Sequence, residues 1–216
     1  MRDGRFNSGF TLIELLVVIS VVAILMALLF PAFQGVQDQA KRTQAKNDLT
    51  QIVTAVNAYY TEYGKYPLPN STGTFTADTV FGDNNNAGSN KSYQLFDTLR
   101  AVQTDTEAVA LNPRLISFMQ GNSVRNQANP RSGFDAAGNF FDPWGRTYAV
   151  AEDLSYDNVT RPFIPQYSDL TYSTEPSSGY PGVRGNVIAY SFGKDGKQGT
   201  KGDDKYQGSD DVISWQ

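Results

Sequence analysis

A single carboxylate interrupts an apolar segment near the start of this 216-residue chain. Twenty of the 24 residues from position 10 to 33 are apolar, and Glu14 is the one ionisable side chain among them. An ionised carboxylate at the centre of a membrane helix costs roughly 2.5–3.5 kcal/mol on insertion scales. Glu14 is therefore expected to have a specific partner for its charge.

A second group of carboxylates gathers near the C-terminus. Five aspartates fall within 17 residues, interleaved with glycines. Calcium takes about six to eight oxygen ligands in a flexible geometry, and glycines allow backbone carbonyls to supply some of them. The pattern predicts a calcium site that draws on Asp195, Asp203, Asp204, Asp210 and Asp211. The alternative is a solvated turn, because four lysines nearly balance the charge: Lys194, Lys197, Lys201 and Lys205.

The residue inventory excludes several classes of site. The chain has no cysteine and no histidine, which excludes a disulfide framework, a Ser-His-Asp triad, a Cys-His dyad and a histidine-ligated metal. A net charge of −4 offers no basic surface for nucleic acid. An anchored enzyme that uses only carboxylates is the alternative from another class, but no acid–base pair stands out. Trp144 and Trp215 could mark a carbohydrate-binding head, although core packing is the preferred interpretation.

The apolar segment is long enough to cross a membrane. About 20 residues at ~1.5 Å rise span a hydrocarbon core of ~30 Å. Arg2 and Arg5 precede it, which favours a cytoplasmic N-terminus. The residues after it make a poor signal-peptide cleavage site, so hydropathy alone favours an uncleaved anchor.

The helical pattern continues beyond the membrane segment. From position 49 to 63 the apolar residues follow one face of a helix: Leu49, Ile52, Val53, Val56, Tyr59, Tyr60 and Tyr63. Gly64 and then Pro67 are expected to end it. Pro31 is expected to kink the helix or loosen one turn, because it lacks an N–H and clashes with the preceding turn. We therefore predict a transmembrane half over 10–33 and an amphipathic half over 34–63.

The remainder, 64–216, reads as a head with an α+β fold. Residues 69–91 are rich in Asn, Ser, Thr and Gly, which predicts a surface loop. Residues 92–102 form an amphipathic pattern typical of a short helix, and 112–120 predicts an irregular or strand-like element. A turn and strand are predicted over 142–153, with further strands over 185–193 and 211–215. The long helix is expected to pack on a small antiparallel sheet.

The stretch G-FTLIELL, with Gly9 before Phe10 and Glu14 four residues on, closely resembles the type IV prepilin processing signal. That family contains the type IV pilins and the pseudopilins of type II secretion. The resemblance implies that a membrane peptidase cuts between Gly9 and Phe10, removes the leader 1–9 and methylates the new amine. Glu14 then becomes the fifth residue of the mature chain. Pro31 falls where these proteins often break their helix.

Downstream, the chain resembles the major pseudopilin of type II secretion. DPWGRTY, starting at Asp142, resembles the opening turn and strand of its sheet, and residues 191–215 resemble its calcium-binding loop. The resemblance implies that Asp195 and Asp211 are the best-matched ligands, with Asp210 next. Extra residues around KYQGS interrupt this match at Asp203 and Asp204. The segment 69–141 has no counterpart and is treated as a variable middle.

The resemblance implies a structural subunit rather than an enzyme. The subunit would sit in the inner membrane with one span, a cytoplasmic N-terminus and a periplasmic head, and would then polymerise with itself into a pseudopilus. The prepilin peptidase, minor pseudopilins and the inner-membrane secretion platform are the implied partners. A type IV pilus subunit for adhesion or motility is the alternative, although pilins more often close their C-terminal region with a disulfide.

Cleavage suggests what the partner of Glu14 is. Once the leader is removed, Phe10 carries an α-ammonium close to the membrane. When subunits stack with an offset, the amine of an entering subunit can approach Glu14 of an older one. In low dielectric this pairing offsets much of the carboxylate's desolvation cost. Glu14 is therefore predicted to fix the assembly register. The alternative is an inert anchor whose Glu reaches the headgroups.

Overall fold

The computed structural model describes residues 10–68, 78–82, 91–161, 166–174, 181–200 and 204–216. The chain falls into two compact units, Met1–Ala40 and Lys41–Gln216. The prediction of an α+β fold, with a long N-terminal helix and an antiparallel sheet, is confirmed. The leader 1–9, with Gly9, lies outside the described residues.

One helix, α1, spans Leu12–Tyr63. Gly64 follows it with a φ of +67°, a conformation that costs glycine little and commonly ends a helix. Helix α1 continues through position 31 without interruption. The side chain there is not described, so a kink at Pro31 stays a prediction.

The predicted apolar face of α1 is the face that the head buries. Leu49, Ile52, Val56 and Tyr59 are completely buried, and Val53, Tyr60 and Tyr63 pack against the same core. Burying one large apolar side chain stabilises the fold by about 2 kcal/mol. Ala45 and Ala55 are also buried, and their small side chains did not mark them as part of this face.

A four-stranded antiparallel sheet lies beneath α1. Its strands are β1 (Thr79–Phe81), β4 (Ala149–Glu152), β8 (Val187–Ser191) and β9 (Val212–Ile213), in the order β1-β4-β8-β9. Val150 and Ala189 belong to the core shared with α1, whereas Ala151 and Ile188 face a smaller cluster on the other side. Successive residues of a strand point to opposite faces, so both faces of this sheet are covered.

The remaining elements are short. The helices are α2 (Ser92–Arg100) and α3 (Thr106–Leu111). One two-stranded sheet pairs β2 (Gly133–Phe134) with β3 (Phe140–Phe141). A three-stranded sheet has the order β5-β7-β6, formed by β5 (Val159–Thr160), β6 (Ser173–Thr174) and β7 (Pro181–Arg184).

Most of the predicted elements of the head are confirmed. The helix predicted over 92–102 is α2, with Leu95, Phe96 and Leu99 fully buried. Strands β4, β8 and β9 lie where strands were predicted, and 112–120 is irregular. The surface loop predicted over 69–91 is wrong in one part, because β1 is a buried strand that pairs with β4. Its three residues are too few to display an alternating pattern. Residues 69–77 and 83–90 lie outside the described residues.

The turn before β4 is organised by Asp142, which is fully buried. Its Oδ1 accepts hydrogen bonds from the backbone N–H groups of Trp144, Gly145 and Arg146, at 2.8–2.9 Å. Its other oxygen accepts one from the Ser191 hydroxyl on β8. The carboxylate thereby fixes the DPWG turn to the sheet. Trp144 packs against the main core, which supports the core-packing interpretation of this residue.

Candidate functional site

The N-terminus of α1 places Glu14 in a local hydrogen-bonded arrangement. Its Oε2 accepts hydrogen bonds from the backbone N–H of Thr11, at 2.9 Å, and from the Thr11 hydroxyl, at 2.6 Å. The Thr11 hydroxyl in turn accepts one from the Glu14 N–H, at 3.3 Å. This reciprocal pattern is a capping box, which satisfies donors that a helix N-terminus leaves unpaired. The spacing Thr-x-x-Glu is the sequence signal for it, and it was missed.

The capping box leaves the carboxylate accessible, because Glu14 and Thr11 are both exposed in the single chain. It also gathers Phe10, Thr11 and Glu14 at one helix end. Glu14 can therefore organise the segment that would carry the processed amine. Pairing with a neighbouring subunit's amine would use the carboxylate's remaining lone pairs.

The apolar part of α1 has no covering layer among the described residues. Large side chains from Phe10 to Val36 are 46–88% exposed. By length and composition, α1 is also the one described helix able to cross a membrane, and its most apolar window has a mean hydropathy of 3.0. Together with the processing motif, this indicates a single-pass, membrane-anchored chain.

In the C-terminal loop, Asp210 organises the backbone opposite it. Its Oδ2 accepts hydrogen bonds from the N–H groups of Lys194 and Asp195, the second at 2.9 Å. A Cβ on Gly193 would overlap the Asp210 carbonyl oxygen, and one on Gly196 would overlap the Arg146 guanidinium. Both glycines have positive φ, so the loop conformation requires glycine at both positions.

Asp211 is completely buried at the base of the loop. Its Oδ2 accepts hydrogen bonds from the Tyr167 hydroxyl, at 2.7 Å, and from the Gly199 N–H, at 2.6 Å. Its Oδ1 is buried without a hydrogen-bond partner among the described residues. Burial, with smaller effects from nearby Asp210 and Asp195, raises the pKa of Asp211 to about 6. This unpartnered oxygen is available as a ligand for a cation.

The predicted ligands do not all converge. Asp195 is exposed, and its Oδ1 accepts the Lys197 N–H at 2.8 Å. Asp204 is exposed, and Asp203 lies outside the described residues. Within the described part of the chain, no three carboxylates are gathered in an arrangement that could hold a metal ion. A complete carboxylate ligand set is therefore not present among those residues, and the calcium site stays a prediction whose one structural support is the unpartnered Oδ1 of Asp211.

Two residues outside the predicted set also hold this region together. Asp169 accepts the N–H groups of Tyr206 and Gln207, each at 2.7 Å, and these hydrogen bonds lower its pKa. Tyr167 is buried and bonds Asp211 across 44 residues of sequence. Neither had a local sequence signal, because each acts on a partner that is distant along the chain.

The comparisons with known proteins cover only part of the chain. The family model of the prokaryotic N-terminal methylation motif matches residues 4–30. The type IV major pilin protein PilA of Myxococcus xanthus is 39% identical over 69 residues, 31% of each chain. The type II secretion system core protein G of Pseudomonas aeruginosa is 44% identical over 63 residues, 29% of this chain and 44% of that protein. A major pilin of Neisseria gonorrhoeae, PilE1, is 41% identical over 68 residues.

The matched segment spans less than half the length of these curated relatives, and no solved structure gives a significant match. The relatives are named as pilins and as secretion-system core proteins, which fits a structural subunit rather than an enzyme. The region that the family model matches contains the processing motif and most of the apolar part of α1. The chain carries the N-terminal methylation motif over residues 4–30, and it is similar both to the type IV major pilin PilA and to core protein G of type II secretion over 29–31% of its length.

Proposed function

We propose that this chain is a major pseudopilin, a structural subunit that polymerises into a periplasmic filament driving type II secretion. The relatives include both core protein G and pilins, so this similarity does not discriminate between the two functions. The observation that carries the choice is the cysteine-free C-terminal loop, in which Asp210 and Asp211 bind backbone N–H groups where a pilin more often has a disulfide. A type IV pilus subunit is the second candidate, favoured by the pilin relatives.

In this proposal a prepilin peptidase cleaves the chain between Gly9 and Phe10 and methylates the new amine. Before assembly, the subunit remains in the inner membrane with its head in the periplasm. It enters the filament through contacts with other copies, with minor pseudopilins and with the secretion platform. Glu14 pairs with the amine of the neighbouring subunit, because both charges are otherwise costly in the membrane.

Deletion of the gene separates the two candidate functions. A pseudopilin deletion is expected to abolish the export of proteins to the medium while leaving surface filaments and twitching motility unchanged. The measurements are the protein composition of the culture supernatant and electron microscopy of shed filaments, each with a strain complemented by the wild-type gene. Loss of surface filaments with normal export would overturn the secretion role in favour of the pilus.

The same proposal gives the C-terminal loop a calcium ion. Asp211 would supply its unpartnered Oδ1, and Asp210 and Asp195 are the further carboxylates of the loop whose charges act on Asp211. Calcium would compensate the mutual repulsion of these carboxylates and hold a loop that has little core of its own. In this way the ion would set the shape of the head surface that neighbouring subunits contact.

Calcium is therefore expected to stabilise the full-length protein more at pH 7 than at pH 5. The pKa of Asp211 is raised to about 6 by burial, so without a cation the folded state holds its proton more tightly than the unfolded state. Stability then falls as the pH rises from about 4 to 6. A cation should reverse that loss by stabilising the ionised form. The measurement is Tm in detergent with calcium or with a chelator at both pH values.

Two variants test which carboxylate is responsible for the effect of calcium on Tm. Asp211→Asn should abolish the effect of calcium on Tm and flatten its pH dependence. Asp204→Asn, which changes an exposed carboxylate of the same loop, should retain most of both. An unchanged calcium effect in Asp211→Asn would contradict the assignment of Asp211.

A further inference from the structure

A polar cleft in the head lies outside every site considered above. It has a volume of about 650 Å³ and lies between Gln44 of α1 and the loop 122–132. The residues that line it are amides, serines and two arginines, Arg125 and Arg131, with no acidic and no apolar side chain among them. A second cleft of about 400 Å³ adjoins it and shares Gln44, Asn122 and Ser132. The two adjoining clefts are here together called the amide groove.

The two arginines are available to a ligand. In the described part of the chain, the ion pairs of arginine involve Arg100, Arg114 and Arg161, and no hydrogen bond or ion pair is formed by the side chains of Arg125 or Arg131. Both residues are exposed. Two unpaired guanidinium groups in one groove of a chain with a net charge of −4 create a local positive potential that favours an anion.

The loop that carries them is held in place by backbone hydrogen bonds. Near its start, the N–H of Phe134 donates to the Asn122 carbonyl and the N–H of Val124 donates to the Phe134 carbonyl, each at 2.9 Å. Near its end, the Ser132 N–H donates to the Asp142 carbonyl at 2.9 Å. A groove whose walls are already ordered loses less entropy when it binds a ligand.

We propose that the amide groove binds an acidic oligosaccharide, one whose sugars carry carboxylates. Guanidinium groups recognise carboxylates with directed hydrogen bonds. Amide side chains both donate and accept, which suits the hydroxyl groups of a sugar. The larger cleft offers no apolar pocket for the side chains of a peptide. Asp48 lines the other end of the groove and is held by the Tyr148 hydroxyl at 2.7 Å. It repels carboxylates, so those of the ligand lie towards Arg125 and Arg131.

The test is calorimetric titration of the full-length protein in a neutral detergent with trigalacturonate. The comparison ligands are maltotriose, which is neutral, and hexaglutamate, which is an acidic peptide. Arg125→Gln combined with Arg131→Gln is expected to weaken trigalacturonate binding by about tenfold or more, since charge-assisted hydrogen bonds are lost. Arg184→Gln is the matched control, because it removes an exposed arginine on β7 outside the groove. Circular dichroism and Tm check that each variant remains folded.

Binding of trigalacturonate that is lost in the double variant and kept in Arg184→Gln supports the proposal. Equal binding of maltotriose would overturn the role of the two arginines. Equal binding of hexaglutamate would overturn the saccharide class and leave a general anion site. Absence of trigalacturonate binding at millimolar concentration would overturn the proposal as a whole. None of these results depends on whether the filament serves secretion or a pilus.

Discussion

Replacing Glu14 by glutamine is expected to abolish filament assembly while cleavage after Gly9 and membrane insertion remain normal. Glutamine can still accept the hydrogen bonds of Thr11, so the helix end is preserved, but it cannot neutralise the amine of a neighbouring subunit. Leaving one charge of a buried pair without its partner costs about 3–5 kcal/mol. A cost of this size would reduce the affinity for each added subunit by at least about a hundredfold. The measurements are the size shift on leader removal, membrane fractionation and the yield of sheared filaments.

A matched variant separates the charge of Glu14 from its capping role. Thr11→Ala removes the hydroxyl that exchanges hydrogen bonds with Glu14 and leaves the carboxylate in place. Loss of such a cap costs about 1 kcal/mol, so assembly should fall only modestly. If Thr11→Ala abolished assembly as completely as Glu14→Gln, then the order of the helix end, and not pairing with the amine, would be the function of Glu14.

The sequence was most informative where a pattern is repeated. The apolar face of α1 could be predicted because its seven positions recur with the period of a helix, and Gly64 was a clear stop signal. The strand β1 could not, because three residues within a segment rich in turn-forming residues show no period. The spacing Thr-x-x-Glu predicts the capping box, but within an apolar segment the prediction rested on the charge of Glu14 alone.

The candidate sites, like the fold, could be predicted from the sequence only in part. The clustered aspartates pointed to the C-terminal loop, yet the role of each one depends on distant partners. Asp211 is buried and accepts hydrogen bonds from Tyr167 and Gly199. Asp210 accepts hydrogen bonds from the backbone N–H groups of residues 194 and 195. The amide groove joins α1 to a loop about 80 residues further along the chain. Contacts between distant segments depend on the folded chain and have no local sequence pattern.

Glu152 is an ionisable residue at a position that the alternation of strand β4 assigns to the core. As the last residue of β4, it shares the face of Val150, which packs under α1. It is completely buried, and neither carboxyl oxygen has a hydrogen-bond partner among the described residues. Desolvation raises its pKa to about 8. Its charge, when present, in turn helps to raise the pKa of Tyr59, Tyr66 and Tyr156 nearby.

The ionisation of Glu152 should therefore lower the unfolding free energy of the head as the pH rises from about 5 to 8. A carboxyl with a raised pKa in the folded state stabilises the fold fully below its unfolded value of 4.5, and this contribution is lost as the pH rises towards 8. Glu152→Gln, which cannot ionise, should flatten the pH dependence of the unfolding free energy between about pH 5 and 8. Glu152→Leu should flatten it too and raise stability at pH 7 by ~2 kcal/mol, because no polar group is then buried unpaired.

Denaturant unfolding of the full-length protein and both variants, measured in detergent from pH 5 to 9, distinguishes the two effects. The difference between the glutamine and leucine variants isolates the cost of burying polar atoms, since neither side chain titrates. The difference between wild type and the glutamine variant isolates the titration. Parallel pH profiles for wild type and Glu152→Gln would mean that water reaches the carboxylate in the folded state. The core beneath α1 would then be less tightly closed around Glu152 than its complete burial indicates.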